Sequence, residues 1–421
     1  MPQTDSTKPR ALDGIRVVEF CDFVAGPFAG RILADFGAEV IKVELPRGDR
    51  GRRFGPFAET PGRGAGPHRE SGALYLHYNT NKQSVRIDID TRAGRRLLNS
   101  LLDDADVFLS DLTPAEQEHF GLSAGAVRDN RPWLIVASVT PYGLTGPAVD
   151  LPSTPLTRMH SAGTAHVLVR GLGSDLGKPV STGGNVNEAD GGMACAIATI
   201  GALIARGPDR GTGDGQIAEV SVQEAMSSLD RVDISIARHD GAPTFSKRPA
   251  GFGGLIKCQD GYIVSVMPQP HQWAGMVHAM GDPEWALDEN GDILDRSGEG
   301  SEGLNQGFRD WCAEHTREEI YRTAQSHSAP VGAVYRPSEV MASEQEQARA
   351  FFSPIDHPEA GRFDYTTTSA LYSGTAAPPR RPAPILGSAN ATIFKATALS
   401  GALPSASSGW TTATARRAGV A

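Results

Sequence analysis

The sequence predicts an α/β protein: a Rossmann-like large domain with a parallel sheet, plus a smaller α+β domain. Two observations carry this. Short β-branched strands alternate with amphipathic helical segments through the first part of the chain, and near residue 226 the texture changes to glycine turns, a hairpin signal and helices. Residues 15–20 (IRVVEF) are a strand. Residues 27–36 carry Phe28, Ile32, Leu33 and Phe36 at helical spacing, stop at Gly37 and lead into a second strand at 40–44, which completes a βαβ unit. Residues 84–90 are the next strand, and 91–103 a helix with Leu97, Leu98, Leu101 and Leu102 on one face. Strands follow at 107–109 and 133–139, a long small-residue helix at 191–206, a strand at 216–222 and a helix at 223–231. A strand pair turns around Asp260-Gly261, with helices near 272–280 and 307–325, and residues 330–335 (PVGAVY) read as a strand returning to the first layer. The expected division is 1–225 for the first part of the large domain, 226–329 for the small domain and 330–396 for the return. Residues 397–421, rich in Ser, Thr, Ala and Gly, are expected to be a disordered tail.

Composition narrows the function. Forty basic against 49 acidic residues give a net charge of −9 with no long basic run, which argues against a nucleic-acid partner. Cys21, Cys195, Cys258 and Cys312 are widely spaced, with no CxxC pair, so neither a disulfide framework nor a zinc site is suggested and a reducing cytoplasm is the expected compartment. The apolar run at 193–205 falls short of the roughly 20 residues that span a bilayer, so no membrane segment is expected and the run reads as a buried helix. GxSxG, HExxH and Walker A sequences do not occur. The turn after the first strand reads VAGPFAG (24–30) rather than GxGxxG, and Pro27 lacks an amide that a pyrophosphate needs, which disfavours a dinucleotide site.

The most informative segment is Asn185–Met193 (NVNEADGGM), where two carboxylates, Glu188 and Asp190, stand at the mouth of the small-residue helix. A carboxylate in that position is either a covalent nucleophile or a helix cap.

Several motifs occur in order: LDGIRVVEF from 12, VAGP from 24, LADFGAEVIKVE from 33, NKQS from 81, ASVTPYGLTGP from 137, GDGQ from 213, VSVQEA from 220, PVG from 330 and PILG from 384. Together they resemble the family III CoA-transferases, the formyl-CoA transferase and carnitine CoA-transferase family, which also contains α-methylacyl-CoA racemases. The resemblance covers roughly residues 12–390. It implies a large Rossmann-like domain built from both chain ends, a small domain from the middle, and a homodimer of interlocked rings. It also implies the chemistry: a carboxylate attacks an acyl-CoA thioester, a mixed anhydride forms, CoA thiolate leaves, and CoA returns onto the acceptor acid. The coenzyme A thioester is then a substrate, no tightly bound cofactor or metal is expected, and the partners are an acyl-CoA and a carboxylic acid.

In the family register the nucleophilic aspartate falls on Glu188, one methylene longer, and Asp190 gains a role as helix cap. The residues alone leave Glu188, Asp190 or neither as the nucleophile. The resemblance further places Val24 and Ala25 along the CoA channel, Tyr142 beside the thioester, His119 at an adenine-side arginine position and Asp111-Leu112 at an Asn-Phe pair. Gly251, Gly253 and Gly254 resemble a mobile glycine loop over the active site, or else are a simple turn. A racemase needs a histidine about thirty residues before the carboxylate, near 154; Thr154-Pro155 stand there, with His160 and His166 off register. Two alternatives to a homodimeric transferase therefore stay open: a non-catalytic subunit paired with a paralogue, and a racemase.

Overall fold

The computed structural model describes residues 8–60, 64–65, 68–165, 179, 181–207, 213–229, 253–267, 269–296, 301–368, 370–376 and 380–394. The expected tail at 397–421 lies outside them.

The alternating segments fold into six parallel strands, β1 (Arg16–Phe20), β2 (Glu39–Glu44), β3 (Gln83–Arg86), β4 (Val107–Ser110), β5 (Ile135–Thr140) and β6 (Ile217–Ser221). Their order across the sheet is β3-β2-β1-β4-β5-β6. This is the doubly wound arrangement, in which the chain runs outward from β1 in one direction and then restarts at β4 on the other side. The connecting helices are α1 (Ala25–Asp35), α2 (Ala73–Tyr78), α3 (Arg92–Asp103), α4 (Pro114–Phe120), α5 (Ala124–Asp129), α6 (Pro155–Ser161), α7 (Val186–Arg206) and α8 (Val222–Leu229).

The pleat divides the buried residues between two faces. Val18, Ile41, Val43, Phe108 and Val136 pack on the leucines of α3, while Val17, Val40, Leu109, Ile135 and Val139 pack with Ala29 and Leu33 of α1 and Cys195 and Ala196 of α7. Because both faces are covered, the central strands are mostly apolar, and the charges they bury are paired. Lys42 of β2 and Glu19 of β1 are fully buried at 2.9 Å, and Lys42 also meets Asp49 at 2.8 Å. Lys82 reaches the other oxygen of Glu19 at 2.7 Å and donates to the carbonyl of Pro27 at 2.7 Å. Gly30 is needed here, since a Cβ would lie 1.8 Å from Glu19 Oε2.

The described residues fall into two compact units, one drawn from 1–168, 176–234 and 350–421, the other lying within 235–349. The second contains a three-stranded antiparallel sheet of β7 (Gly253–Cys258), β8 (Gly261–Val266) and β9 (Val331–Ala333), with α9 (Pro270–Ala279), α10 (Ser301–Ala313) and α11 (Arg317–Ser326). Trp273, Met276, Phe308 and Ile320 form its core. The PVGAVY strand therefore does not return to the large sheet. It pairs with β8, Ile263 opposite Ala333, and the chain rejoins the first unit only at 350, past the expected boundary at 330. After it, β10 (Phe352–His357) and β11 (Gly361–Thr366) form a hairpin in the first unit.

A second difference concerns α7. It begins at Val186, not 191, after Asn185, which stands at the N-cap position in the left-handed conformation at φ 55° without a side-chain cap bond. Asn, Glu and Asp read as loop in the sequence, but Glu188 and Asp190 both lie inside the helix. The helix is long and apolar enough to cross a membrane by length and composition, yet Cys195, Ala196, Thr199 and Ala202 face the core of the first unit.

Candidate active site

The strand order reverses between β1 and β4, and in open α/β sheets the crevice beyond the carboxyl ends of such strands is where ligands bind. The loop leaving β1 is held there by side chains from several elements. Lys42 donates to the carbonyl of Cys21 at 2.9 Å, and Asp49 Oδ1 accepts from the amides of Phe23 at 3.1 Å and Gly51 at 2.6 Å. Asp111, just past β4, accepts from the amide of Asp22 at 2.7 Å. Asp22 in turn accepts from the amide and Nε of Arg50, both at 2.6 Å. Burial and the neighbouring Asp49 push the Asp22 carboxyl up to about 6, while Lys42 and the amide of Gly51 bring Asp49 down to about 2 against the cost of its burial. Burial, reinforced by Asp22, raises Asp111 well above the carboxylate range.

These contacts set the start of α1. Val24, its N-cap residue, and Ala25 are buried, and α7 approaches them closely because it is thin there. A Cβ on Gly192 would lie 2.4 Å from the Ala25 carbonyl oxygen, and one on Gly191 would lie 2.7 Å from Val222. One turn before Gly192, Glu188 is 4% exposed in the first turn of α7, where the helix dipole favours negative charge. Its Oε1 receives Nε of Arg158 at 2.8 Å and Nη2 at 2.5 Å. Arg158 comes from α6, is 7% exposed and donates through Nη1 to Ser153 Oγ at 2.5 Å. Helix α6 is positioned by a capping box at Thr154, whose Oγ1 accepts from the amide of Thr157.

The model of CoA-transferase family III matches residues 12–390. The chain belongs to CoA-transferase family III. A succinyl-CoA–D-citramalate CoA-transferase of Chloroflexus aurantiacus is 28% identical over 397 residues, covering 92% of this chain and 94% of that protein. A succinyl-CoA:(R)-benzylsuccinate CoA-transferase subunit of Thauera aromatica is 30% identical over 365 residues, covering 82% and 84%. Among solved structures, a CaiB/BaiF family protein from Brucella suis matches with a TM-score of 0.77 at 25% identity, over 92% of this chain and 99% of that one.

Within this family III chain, the residues expected at the site are distributed unevenly. Val24, Ala25 and Asp111 meet at the start of α1, and Glu188 lies one helical turn before Gly192, which packs on Ala25. Tyr142 is half-buried just past β5, where the carbonyl of its neighbour Pro141 accepts from Gln223 of α8, the helix whose Val222 packs on Gly191. The exposed ring of His119 faces Asp90 at 3.5 Å. Asp190 does not cap α7, being five residues past Asn185, and is half-buried beyond the buried stripe. Burial raises its carboxyl above the usual range. Gly253 and Gly254 are not a free loop. They open β7, paired with Val266 and Ser265, although Gly254 keeps φ at 114°. Gly251 and His166 lie outside the described residues. His160 is exposed and hydrogen-bonded through Nδ1 to the carbonyl of Leu156 at 2.8 Å, so it is not poised against either carboxylate. Among the described residues no cluster of three or more His, Cys, Asp or Glu could hold a metal.

Sequence reading missed Arg158, Ser153, Asp22 and Arg50. A faint signal for Arg158 exists: it stands 30 residues before Glu188, a few positions from the place near 154 where a racemase needs its histidine.

Proposed function

We propose that this chain moves coenzyme A between two carboxylic acids through an anhydride on Glu188. One observation carries the assignment: of the two candidate carboxylates, Glu188 is the one turned inward, beside the start of α1 and fixed by Arg158, while Asp190 points off the buried stripe. A nucleophile must be ionised and oriented, and a guanidinium bound to one oxygen leaves the other for attack. Glutamate has the same anhydride chemistry as aspartate. The extra methylene is matched here by an inward-facing position in the helix rather than in a loop.

Racemisation fits less well. Thr154 and Pro155 stand where the base is needed, and the group that meets Glu188 is the guanidinium of Arg158, which does not deprotonate in proteins. The two relatives described above are named for succinyl-CoA, so succinyl-CoA with a small set of dicarboxylic acids is the first assay.

The oligomer is proposed to be a homodimer. Helix α7 exposes Val186, Met193, Ile197 and Ile204 at 50%, 46%, 68% and 59% among the described residues. At 100° per residue they share one stripe about 40° wide, an unpartnered apolar face. A second reading is heteromeric assembly with a paralogue, favoured by the relative that is named as a subunit.

Incubation with succinyl-CoA, then hydroxylamine or borohydride, and peptide mapping by mass spectrometry tests the mechanism. The expected adduct is on Glu188, absent in Glu188→Gln and retained in Asp190→Asn. An unmodified 187–191 segment with full activity of Glu188→Gln removes the mechanism. Inactivity of the chain alone, restored by a paralogue, selects the heteromer.

A further inference from the structure

We propose that Arg158 exchanges partners during turnover: it holds the Glu188 carboxylate in the resting enzyme and binds the carboxylate of the incoming acid once Glu188 is acylated. The inference rests on Glu188 as the nucleophile. In acylation, a Glu188 oxygen forms a bond to the acyl carbon, the carbon–sulfur bond breaks, and its electron pair leaves on the CoA thiolate. The negative charge thus moves from Glu188 to sulfur, and no proton is transferred. Arg158 keeps its charge throughout, since guanidinium stays protonated. It is 7% exposed, and among the described residues its guanidinium bonds to Glu188 and Ser153, of which only Glu188 is charged. Acylation therefore leaves a buried cation facing a neutral anhydride oxygen, a costly state that a carboxylate relieves.

The geometry suits that exchange. Two guanidinium donors converge on one oxygen of Glu188 at 2.8 and 2.5 Å. Ser153 holds the far side of the group at 2.5 Å, so the guanidinium stays in place when the charge opposite it is lost. A carboxylate taking over one of those donors lies beside the Glu188 carbonyl carbon; attack there by its second oxygen breaks the bond to the donor acid, which leaves as its carboxylate, and the CoA thiolate then takes the acceptor's acyl carbon as the Glu188 carboxylate leaves. Arg158 is then both a specificity and a positioning residue. It makes the acceptor site conditional on acylation, because in the resting enzyme the donors are occupied by Glu188.

Glu188→Gln reproduces the uncharged state without any chemistry. Titration of acetate and succinate, followed by calorimetry and by thermal unfolding at constant ionic strength, reads the site. Glu188→Gln is expected to bind acetate about 10- to 100-fold more tightly than the wild type, the scale of one charge-assisted hydrogen-bonded contact. The gain disappears in Glu188→Gln/Arg158→Gln. Equal binding by wild type and Glu188→Gln, or undiminished binding by the double variant, overturns the proposal. If Glu188→Gln is unfolded without ligand, refolding by millimolar acetate but not by sodium chloride supports it, and no refolding overturns it. Acetate binding without an adduct on wild-type Glu188 would retain the anion site and remove the nucleophile. An adduct without acetate binding would do the reverse.

Discussion

Gly192 of α7 lies so close to Ala25 of α1 that a methyl group on it would stand 2.4 Å from the Ala25 carbonyl oxygen. The neighbouring atom is backbone, so it cannot rotate away as a side chain would. The contact joins the two halves of the candidate site, because Ala25 begins the helix at the strand-order switch and Gly192 follows Glu188 by one turn.

Gly192→Ala is therefore expected to separate α7 from α1. Overpacking of this kind costs about 1–3 kcal/mol, and a displacement near 1 Å costs about 100-fold in rate. The expected outcome is a lowered Tm and a fall in kcat of about 10- to 100-fold with succinyl-CoA as donor. Unchanged kcat with a lowered Tm would separate the packing from the positioning of Glu188.

The large domain was legible because its signals are local. Strands β1 and β2, the helix between them and its stop at Gly37 follow from periodicity and one glycine. The start of α7 was not legible, since Asn185-Val-Asn-Glu carries the polarity of a loop and its Glu188 is held by Arg158 from another helix. The ion pair itself joins residues 30 apart on different helices, and no local pattern encodes it. The PVGAVY strand shows the same limit: its composition announced a strand, but its partner is chosen by tertiary packing, and β8 takes it. For His119 and Gly253-Gly254 the register with relatives says nothing of local partners: the His119 ring faces Asp90, and the two glycines pair with β8.

A pH-dependent loss of stability is expected from His77. Its Nε2 lies 3.0 Å from Nη1 of Arg31, which also donates to the His77 carbonyl at 2.9 Å. Burial, and then the Arg31 charge, bring its pKa from 6.5 down to about 3. The unfolded chain takes up a proton near 6.5 and the folded chain only near 3, so between these values acid favours unfolding. The stability is full above pH 6.5 and is lost as pH falls toward 3, with about 2 kcal/mol gone by pH 5. Urea denaturation at pH 7 and pH 5 measures the difference. His77→Gln, which keeps an acceptor without titrating, is expected to flatten it, and an equal slope in this variant would exclude His77 as its origin.

The exposed stripe of α7 gives the last expected outcome. Val186, Met193, Ile197 and Ile204 lie along one line of a helix whose opposite line, Glu188, Cys195 and Thr199, is buried. Both lines belong to one rigid element, so a partner seated on the outer stripe also steadies the turn that carries Glu188. Ile197 is the most exposed of the four at 68% and lies near the middle of the stripe. Burying such a side chain contributes about 1.5–3 kcal/mol, and a buried unpaired carboxylate costs more. Ile197→Glu should weaken the dimer at least about 10-fold in analytical ultracentrifugation while leaving the circular dichroism of the protomer unchanged. Activity measured against protein concentration should then fall with dissociation. A dimer of undiminished affinity in Ile197→Glu would move the interface to another face.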